Sequence, residues 1–220
     1  MSGITAFIFH NDYLKYDFGV GHPLKIVREK YTLDLLQELE IFNGKAKLYV
    51  AEPATEDELM LIHTKEYINF VKKKSEEGTG YLDYGDTPAT KGCFEVASIR
   101  VGGSLYGAEL IMDGKVDHAF NPGGGFHHAR ESNAAGFCIF NDVALTVRLL
   151  QKKYGVKRIA VVDIDGHHAD GTQSILYREP ILKISLHRYD GFFYPGTGSL
   201  EEYGEGEGKG YNVNIPLPVG

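Results

Sequence analysis

The sequence predicts an α/β fold with a mostly parallel sheet, and two observations carry that prediction. Short apolar segments typical of buried strands alternate along the chain with longer segments whose apolar residues recur at helical spacing. Capping and terminating residues mark several helix ends. The 220 residues are enough for one domain with a sizeable core, and no repeat or linker divides them. We therefore expect residues 1–220 to belong to a single domain.

The N-terminal third begins with a strand and continues with helices. The apolar run from Ile4 to Phe9 fits a buried strand, and Leu24 to Leu39 has apolar residues at helical spacing. Thr55 to Glu58 is a capping-box pattern that predicts the start of a helix. A further helix is predicted over Lys65 to Lys74. Ser75 to Pro88 is rich in Gly, Asp and Tyr, which indicates a loop.

The remainder of the chain alternates helices with strands. A long helix is predicted from Thr90 to Met112, and a short strand from Asp117 to Asn121. A helix capped by Asn141 runs to Lys153, since Gly155 is a typical terminator. Further buried strands are predicted at Arg158 to Ile164, Ile181 to Leu186 and Val213 to Leu217. Strands separated by helices indicate a parallel sheet with helices on both faces.

The composition excludes several functional classes. No apolar run approaches the roughly 20 residues of a membrane-spanning helix, and the start at Met1 lacks the features of a signal peptide. The formal net charge of −7 argues against direct nucleic-acid binding. Two cysteines, Cys93 and Cys138, are too few for a disulfide framework, which favours a cytoplasmic location.

Two histidine pairs follow predicted strands and are the strongest indication of function. His127 and His128 close the segment after the strand that ends at Asn121. His167 and His168 follow the strand that ends at Ile164. Ligands in open parallel sheets gather outside the carboxyl ends of the strands, so the two loops are expected to form one site.

The residue types in these loops suit metal-assisted hydrolysis. Asp163, Asp165 and His167 share a face if the strand continues to its end, and carboxylate with imidazole is a partial zinc site. The adjacent histidines suit acid and base roles. Taken singly, each feature has an ordinary explanation: a glycine run can form a tight turn or a phosphate loop, and a histidine pair can be structural. Their joint occurrence at two strand ends favours a shared metal site.

The motifs together resemble the zinc-dependent histone deacetylases and their prokaryotic relatives, the acetoin-utilisation proteins and acetylpolyamine amidohydrolases. The resemblance spans nearly the whole chain. Its motifs are Gly21-His22-Pro23, Gly85-Asp86-Thr87-Pro88, Gly124-Gly125-Phe126-His127-His128, Gly136-Phe137-Cys138, Asp163-Ile164-Asp165-Gly166-His167-His168-Ala169-Asp170 and Tyr194-Pro195-Gly196-Thr197-Gly198. It implies a three-layer arginase/deacetylase-like fold with a mostly parallel sheet.

The resemblance also implies roles for residues of the candidate site. It makes Asp165 and His167 zinc ligands. His128 would be the general base, with Asp170 behind it. His127 would stabilise charge and help protonate the leaving amine, held by Asp163. His168 has no chemical role by this resemblance and is expected to be structural.

A substrate channel and a second cation site are implied in the same way. Phe137, next to Gly136, and Tyr194 would form the channel walls, and Asp86 would hold the substrate backbone at the rim. A structural potassium ion would be bound by Asp163, Asp165, His167, Ser185 and Leu186, partly through backbone carbonyls.

Two functional residues of the family have no counterpart in the sequence. The family has a third zinc ligand, an aspartate in a later Gly-x-Asp loop, and a tyrosine in a later Gly-Gly-Gly-Tyr segment. Here the last aspartate is Asp190, which comes too early, and Tyr203 and Tyr211 lie in other motifs. We therefore expect residues 1–220 to be the N-terminal part of a deacetylase-like catalytic domain, with its sheet truncated on the C-terminal side.

The expected activity is zinc-dependent hydrolysis of an acetyl or other acyl amide. The substrate would be acetylated lysine in a protein or peptide, or a small acetylated amine such as an acetylpolyamine. A catalytically incomplete family member that acts as a scaffold is the alternative from another class. An arginase-like binuclear hydrolase fits less well, since the adjacent histidines favour the deacetylase branch.

Overall fold

A computed structural model describes residues 3–218. Met1 and Ser2, on which the expected lack of a signal peptide partly rests, lie outside the described residues. The described chain contains six strands, which are β1 (Thr5–Ile8), β2 (Ala46–Tyr49), β3 (His118–Phe120), β4 (Ala160–Asp163), β5 (Leu182–Arg188) and β6 (Asn212–Leu217). Its α-helices are α1 (Val27–Glu38), α2 (Glu56–Leu59), α3 (Lys65–Glu77), α4 (Cys93–Met112), α5 (Asp142–Tyr154) and α6 (Asp170–Leu176). Short 3₁₀ helices cover Asn11–Lys15, Ile41–Asn43 and Gly206–Gly208.

Local side-chain chemistry sets the helix ends. The capping box predicted at Thr55 is present, with the Thr55 hydroxyl accepting from the Glu58 amide and the Glu58 carboxylate accepting from the Thr55 amide. Asn141 caps α5 by accepting from the Ala144 amide at 2.9 Å. Gly155 ends α5 in the left-handed conformation, as predicted.

All strand pairs are parallel, which confirms the predicted fold class. They form two three-stranded sheets rather than one, with the orders β2-β1-β3 and β4-β5-β6. Within residues 3–218 no strand bridges the facing edges of β3 and β4. A cavity of about 470 Å³ lies there, covered by α4 and α5. The carboxyl ends of β3 and β4 carry the two histidine loops.

The core is divided between two large clusters that share α4. One packs α4 with α3 and α5, and the other packs α4 with β1 and the Asn11–Lys15 turn. Apolar side chains on one face of the β4-β5-β6 sheet stay partly exposed, among them Val162, Val213 and Ile215. No helix within residues 3–218 is long and apolar enough to cross a membrane.

Candidate active site

The loop after β3 is a tight turn fixed by two polar side chains. The Asn121 Oδ1 atom accepts from the Gly123 amide at 3.0 Å. The carboxylate of Asp142, at the start of α5, accepts from the amides of Gly125 and Phe126 at 2.8–3.1 Å. Gly125 has φ +89°, a backbone conformation that L side chains rarely adopt. These contacts direct the chain inward, so that His127 and His128 are almost fully buried.

Each of these two histidines is hydrogen-bonded to an aspartate from the second loop. The Nδ1 atom of His127 lies 2.7 Å from Asp163 Oδ2, and that of His128 lies 2.6 Å from Asp170 Oδ1. The two imidazole rings are 4.1 Å apart between centroids. The histidine loops therefore meet in one site, and in both rings Nε2 is left free of the aspartate bond.

The His127–Asp163 and His128–Asp170 pairs differ in the direction in which the pKa of the histidine is shifted. Burial disfavours the charged form of His127, but the hydrogen bond and negative charge of Asp163 outweigh burial and raise the pKa of His127. For His128 the effect of burial prevails over the hydrogen bond that its ring donates to Asp170, and the nearby His127 adds to the effect of burial, so the pKa of His128 is lowered. The arrangement thus favours the charged form of His127 and the neutral form of His128.

Asp165 and His167 lie next to these pairs on the loop after β4. His167 Nδ1 is 2.9 Å from Asp165 Oδ1, and His127 Nε2 is 4.0 Å from the same oxygen. The His167 ring stacks on Phe193 at 4.8 Å with an interplanar angle of 7°. Carboxylate and imidazole are donors that zinc prefers, so the two residues fit a zinc site by chemistry. They do not complete it, since no group of three or more His, Cys, Asp or Glu side chains in residues 3–218 could hold a metal ion.

A cavity of about 490 Å³ joins the histidines to the surface. Asp86, Phe137 and Tyr194 line it together with His127, His128, Asp165 and His167. Gly136 lies beneath the Tyr194 hydroxyl, and a Cβ at Gly136 would come within 2.5 Å of the His128 ring. The cavity is therefore lined by every residue that the sequence predicted to bind zinc or substrate, and by both His127 and His128.

Of the residues predicted for potassium, Asp165 and His167 line this cavity, and the other three lie on β4 and β5. Asp163 on β4 is the register partner of Ser185 on β5, and Leu186 follows Ser185. Asp163 Oδ1 also accepts from the Asp165 amide at 3.0 Å. His168 is buried and its two ring nitrogens contact Thr197 and Gln173, which agrees with the structural role expected for it.

Several residues at the site were not predicted from the sequence. Arg130 Nη2 donates to Asp170 Oδ2 at 2.8 Å, so the carboxylate behind His128 has a second partner. At the inner end of the cavity a buried ion pair joins Arg100 on α4 to Glu29 on α1, and Arg100 also donates to Gly123 O. The only available signal was a charged residue between two apolar residues of a predicted helix, which does not reveal its partner.

Comparison with known proteins places the chain in a family. A family model described as the histone deacetylase domain matches residues 22–220. The chain belongs to the histone deacetylase family. Among its relatives, the acetoin utilization protein AcuC of Bacillus subtilis (strain 168) is 40% identical over 221 residues, covering 97% of this chain and 57% of that protein. A probable deacetylase of Archaeoglobus fulgidus is 40% identical over 223 residues, covering 99% of this chain and 60% of that protein.

Solved structures of the deacetylase family agree with the fold. The crystal structure of a histone deacetylase homologue from Aquifex aeolicus superimposes with a TM-score of 0.87 at 38% identity, and it covers 99% of this chain and 60% of the other. The predicted family resemblance is therefore confirmed. This chain spans 57–60% of the length of these three relatives.

Proposed function

We propose that the chain carries the histidine half of a zinc-dependent deacetylase, which hydrolyses the acyl amide of an acetylated lysine in a protein or peptide. The observation that carries the proposal is the meeting of two His–Asp pairs with Asp165 and His167 at one cavity. Membership in the histone deacetylase family supports it.

Asp165 and His167 are the residues that would hold zinc. A catalytic zinc site normally takes three protein donors, so at least one more would come from outside residues 3–218. A bound zinc ion supplies an electrophile that polarises the amide carbonyl and makes water more acidic.

His128 is the proposed general base. Its Nδ1 atom is held by Asp170, which fixes the ring and leaves Nε2 to take a proton from the attacking water. The lowered pKa of His128, due first to its burial, favours the neutral ring that this role needs. Arg130 compensates the charge of Asp170 and keeps that carboxylate in place.

His127 is the proposed partner for charge and for the leaving group. Its hydrogen bond to Asp163 favours the protonated ring, which can stabilise the negative charge that develops on the carbonyl oxygen. Donation of a proton from His127 to the departing amine completes the hydrolysis. Phe137 and Tyr194 would enclose the alkyl chain of the lysine, and Asp86 would bind the backbone of the substrate.

The test is hydrolysis of a fluorogenic acetyl-lysine substrate by the zinc-loaded protein. We expect His128→Ala to lower turnover by about 10²–10⁴ while zinc content stays unchanged. His118→Ala is the matched control, since His118 is exposed on β3, away from the cavity. Unchanged turnover in His128→Ala would contradict the assigned mechanism.

Two alternatives are separated by further assays. Competition between an acetyl-lysine peptide and acetylputrescine distinguishes a protein deacetylase from an acetylpolyamine deacetylase. A zinc-loaded protein that hydrolyses neither substrate would favour a scaffold role, for which the incomplete set of zinc donors is the supporting observation.

We also propose a structural potassium ion and a cytoplasmic location. Oxygen atoms are available at the end of β4, in the loop after it and in the middle of β5, from Asp163, Asp165, His167, Ser185 and Leu186. A melting temperature that is equal in potassium and lithium chloride at matched ionic strength would argue against the ion. The location is supported by Cys93 and Cys138, which are both free and buried.

A further inference from the structure

One buried hydroxyl connects two sides of the cavity mouth. Thr87 is fully buried, and its Oγ1 atom lies 2.5 Å from Asp83 Oδ2 and 3.2 Å from Asp86 Oδ1. The same oxygen accepts from the backbone amide of Phe137 at 3.0 Å. A hydroxyl has one proton, which Thr87 can share between the Asp83 and Asp86 carboxylates while its oxygen accepts from the Phe137 amide, so Thr87 can bond both the acidic loop and the channel wall.

Phe137 is held in an unusual backbone conformation by this contact and one other. It has φ 71°, in the left-handed region that residues other than glycine seldom adopt. Its amide donates to Thr87, and its carbonyl accepts from the hydroxyl of the buried Tyr16 at 3.0 Å. The position of the Phe137 ring therefore depends on two buried side chains from other parts of the chain.

The loop that carries Asp86 is shaped by the same cluster. Asp83 Oδ1 accepts from the amides of Gly85, Asp86 and Thr87 at 2.9–3.1 Å. The carbonyl of Asp86 is 3.2 Å from His22 Nε2, so a second loop packs against it. Partial burial and the neighbouring Asp83 carboxylate raise the pKa of Asp86 to about 6, whereas the bond from Thr87 acts to lower it.

We propose that Thr87 is a positioning residue: its hydroxyl fixes the rim carboxylate of Asp86 relative to the Phe137 wall, so that both engage one substrate chain. The proposal rests on the proposed function for the identity of that substrate. The geometric part stands on the described contacts alone.

Thr87→Val and Thr87→Ser form the matched pair that tests it. Valine keeps the shape of the side chain without the hydroxyl, and serine keeps the hydroxyl. In Thr87→Val we expect the Phe137 amide to exchange its hydrogen at least about tenfold faster, since it loses its bonding partner. In Thr87→Ser we expect the Phe137 amide to exchange its hydrogen at the same rate as in the unmodified protein, because a serine hydroxyl can make the same bonds.

Steady-state kinetics separate a role of Thr87 in positioning the substrate from a general loss of active-site structure. For an acetyl-lysine peptide, Thr87→Val should raise KM by about tenfold, with kcat within about twofold. The pH at which KM rises should move upward, because the Asp86 carboxyl loses a bond that favours its charged form.

Tyr16→Phe provides a second variant if Thr87→Val does not fold. It removes only the bond to the Phe137 carbonyl, so we expect altered Phe137 exchange with an unchanged titration of Asp86. A change in Asp86 titration in Tyr16→Phe as large as in Thr87→Val would contradict a specific role for Thr87.

Failure of this proposal can be told apart from failure of the proposed function. A protein that hydrolyses no acyl amide removes the proposed function, while amide exchange and the carboxyl titration of Asp86 still decide the role of Thr87. Unchanged Phe137 exchange and Asp86 titration in Thr87→Val would overturn the proposal. The proposal would also be overturned if Thr87→Ser changed Phe137 exchange and Asp86 titration as much as Thr87→Val does. That result would assign the effect to packing of the Thr87 methyl group.

Discussion

A buried histidine outside the candidate site should make the stability of the fold depend on pH. His63 is 2% exposed. Its Nδ1 atom lies 3.0 Å from Arg130 O, and its Nε2 atom accepts from the Asn141 amide at 3.1 Å. This pattern requires the neutral ring, with the proton on Nδ1. Burial lowers the pKa of His63 from 6.5 to about 4, although the backbone contacts oppose the shift.

The pKa difference sets the size and the sign of the effect. As the pH falls below 6.5 the unfolded chain binds a proton at His63, whereas the folded protein does so only near pH 4. Stability is therefore fully present above pH 6.5 and is lost as the pH falls through this window. At about 1.4 kcal/mol for each pH unit, the loss is about 3 kcal/mol over the whole window.

Urea unfolding followed by circular dichroism between about pH 7.5 and 4.5 measures this loss. The comparison is between the unmodified protein and His63→Gln, because other groups titrate in both. We expect the free energy of unfolding to fall less with pH in His63→Gln, by about 2.5 kcal/mol at the acidic end. His118→Gln, at an exposed histidine, is the control and should keep the full dependence. The same pH dependence in His63→Gln and the unmodified protein would refute the reasoning.

Other perturbations have equally specific outcomes. Glu29→Gln leaves the buried charge of Arg100 without its carboxylate, and urea unfolding should show a loss of about 3–5 kcal/mol. Adding Arg100→Met should recover part of that loss, and no recovery would show that packing, not charge, sets the cost. Gly171→Ala puts a Cβ 2.4 Å from Ala129 O, so we expect a loss of about 1–3 kcal/mol in the same assay, and an unchanged midpoint would count against it. In the protein with its full set of zinc donors, His167→Ala should abolish stoichiometric zinc binding in calorimetric titration, and retained binding would place the metal elsewhere.

Periodicity and capping predicted most of the elements because those signals are local. The helix capped by Asn141 and the strand that ends at Asp163 lie within a few residues of their predicted limits. The edge strand β2 and the helix α6 were not predicted. β2 contains the sequence Ala-Lys-Leu-Tyr, which is too short and too polar to stand out, and it is a strand through its pairing with β1.

The site was predicted in part, for a similar reason. The two histidine pairs and their neighbouring aspartates are close in sequence and carry recognisable chemistry. The contacts of Thr87 with Phe137, and of Arg100 with Glu29, join residues that are far apart in the chain. The division into two sheets was not predicted either, since strand order is set by long-range packing and not by the pattern within each strand.

The separation into two sheets has a consequence for the order of folding. β4 pairs with β5 through Ala160 and Leu182, whereas β1 pairs with β3 through Thr5 and His118. Closing the longer loop costs about 1.4 kcal/mol more conformational entropy. We therefore expect the β4-β5-β6 unit to form before the β2-β1-β3 unit. The aspartates at and after the end of β4 would then be in position before His127 and His128 fold. The β2-β1-β3 sheet would pack onto a β4-β5-β6 sheet that has already formed.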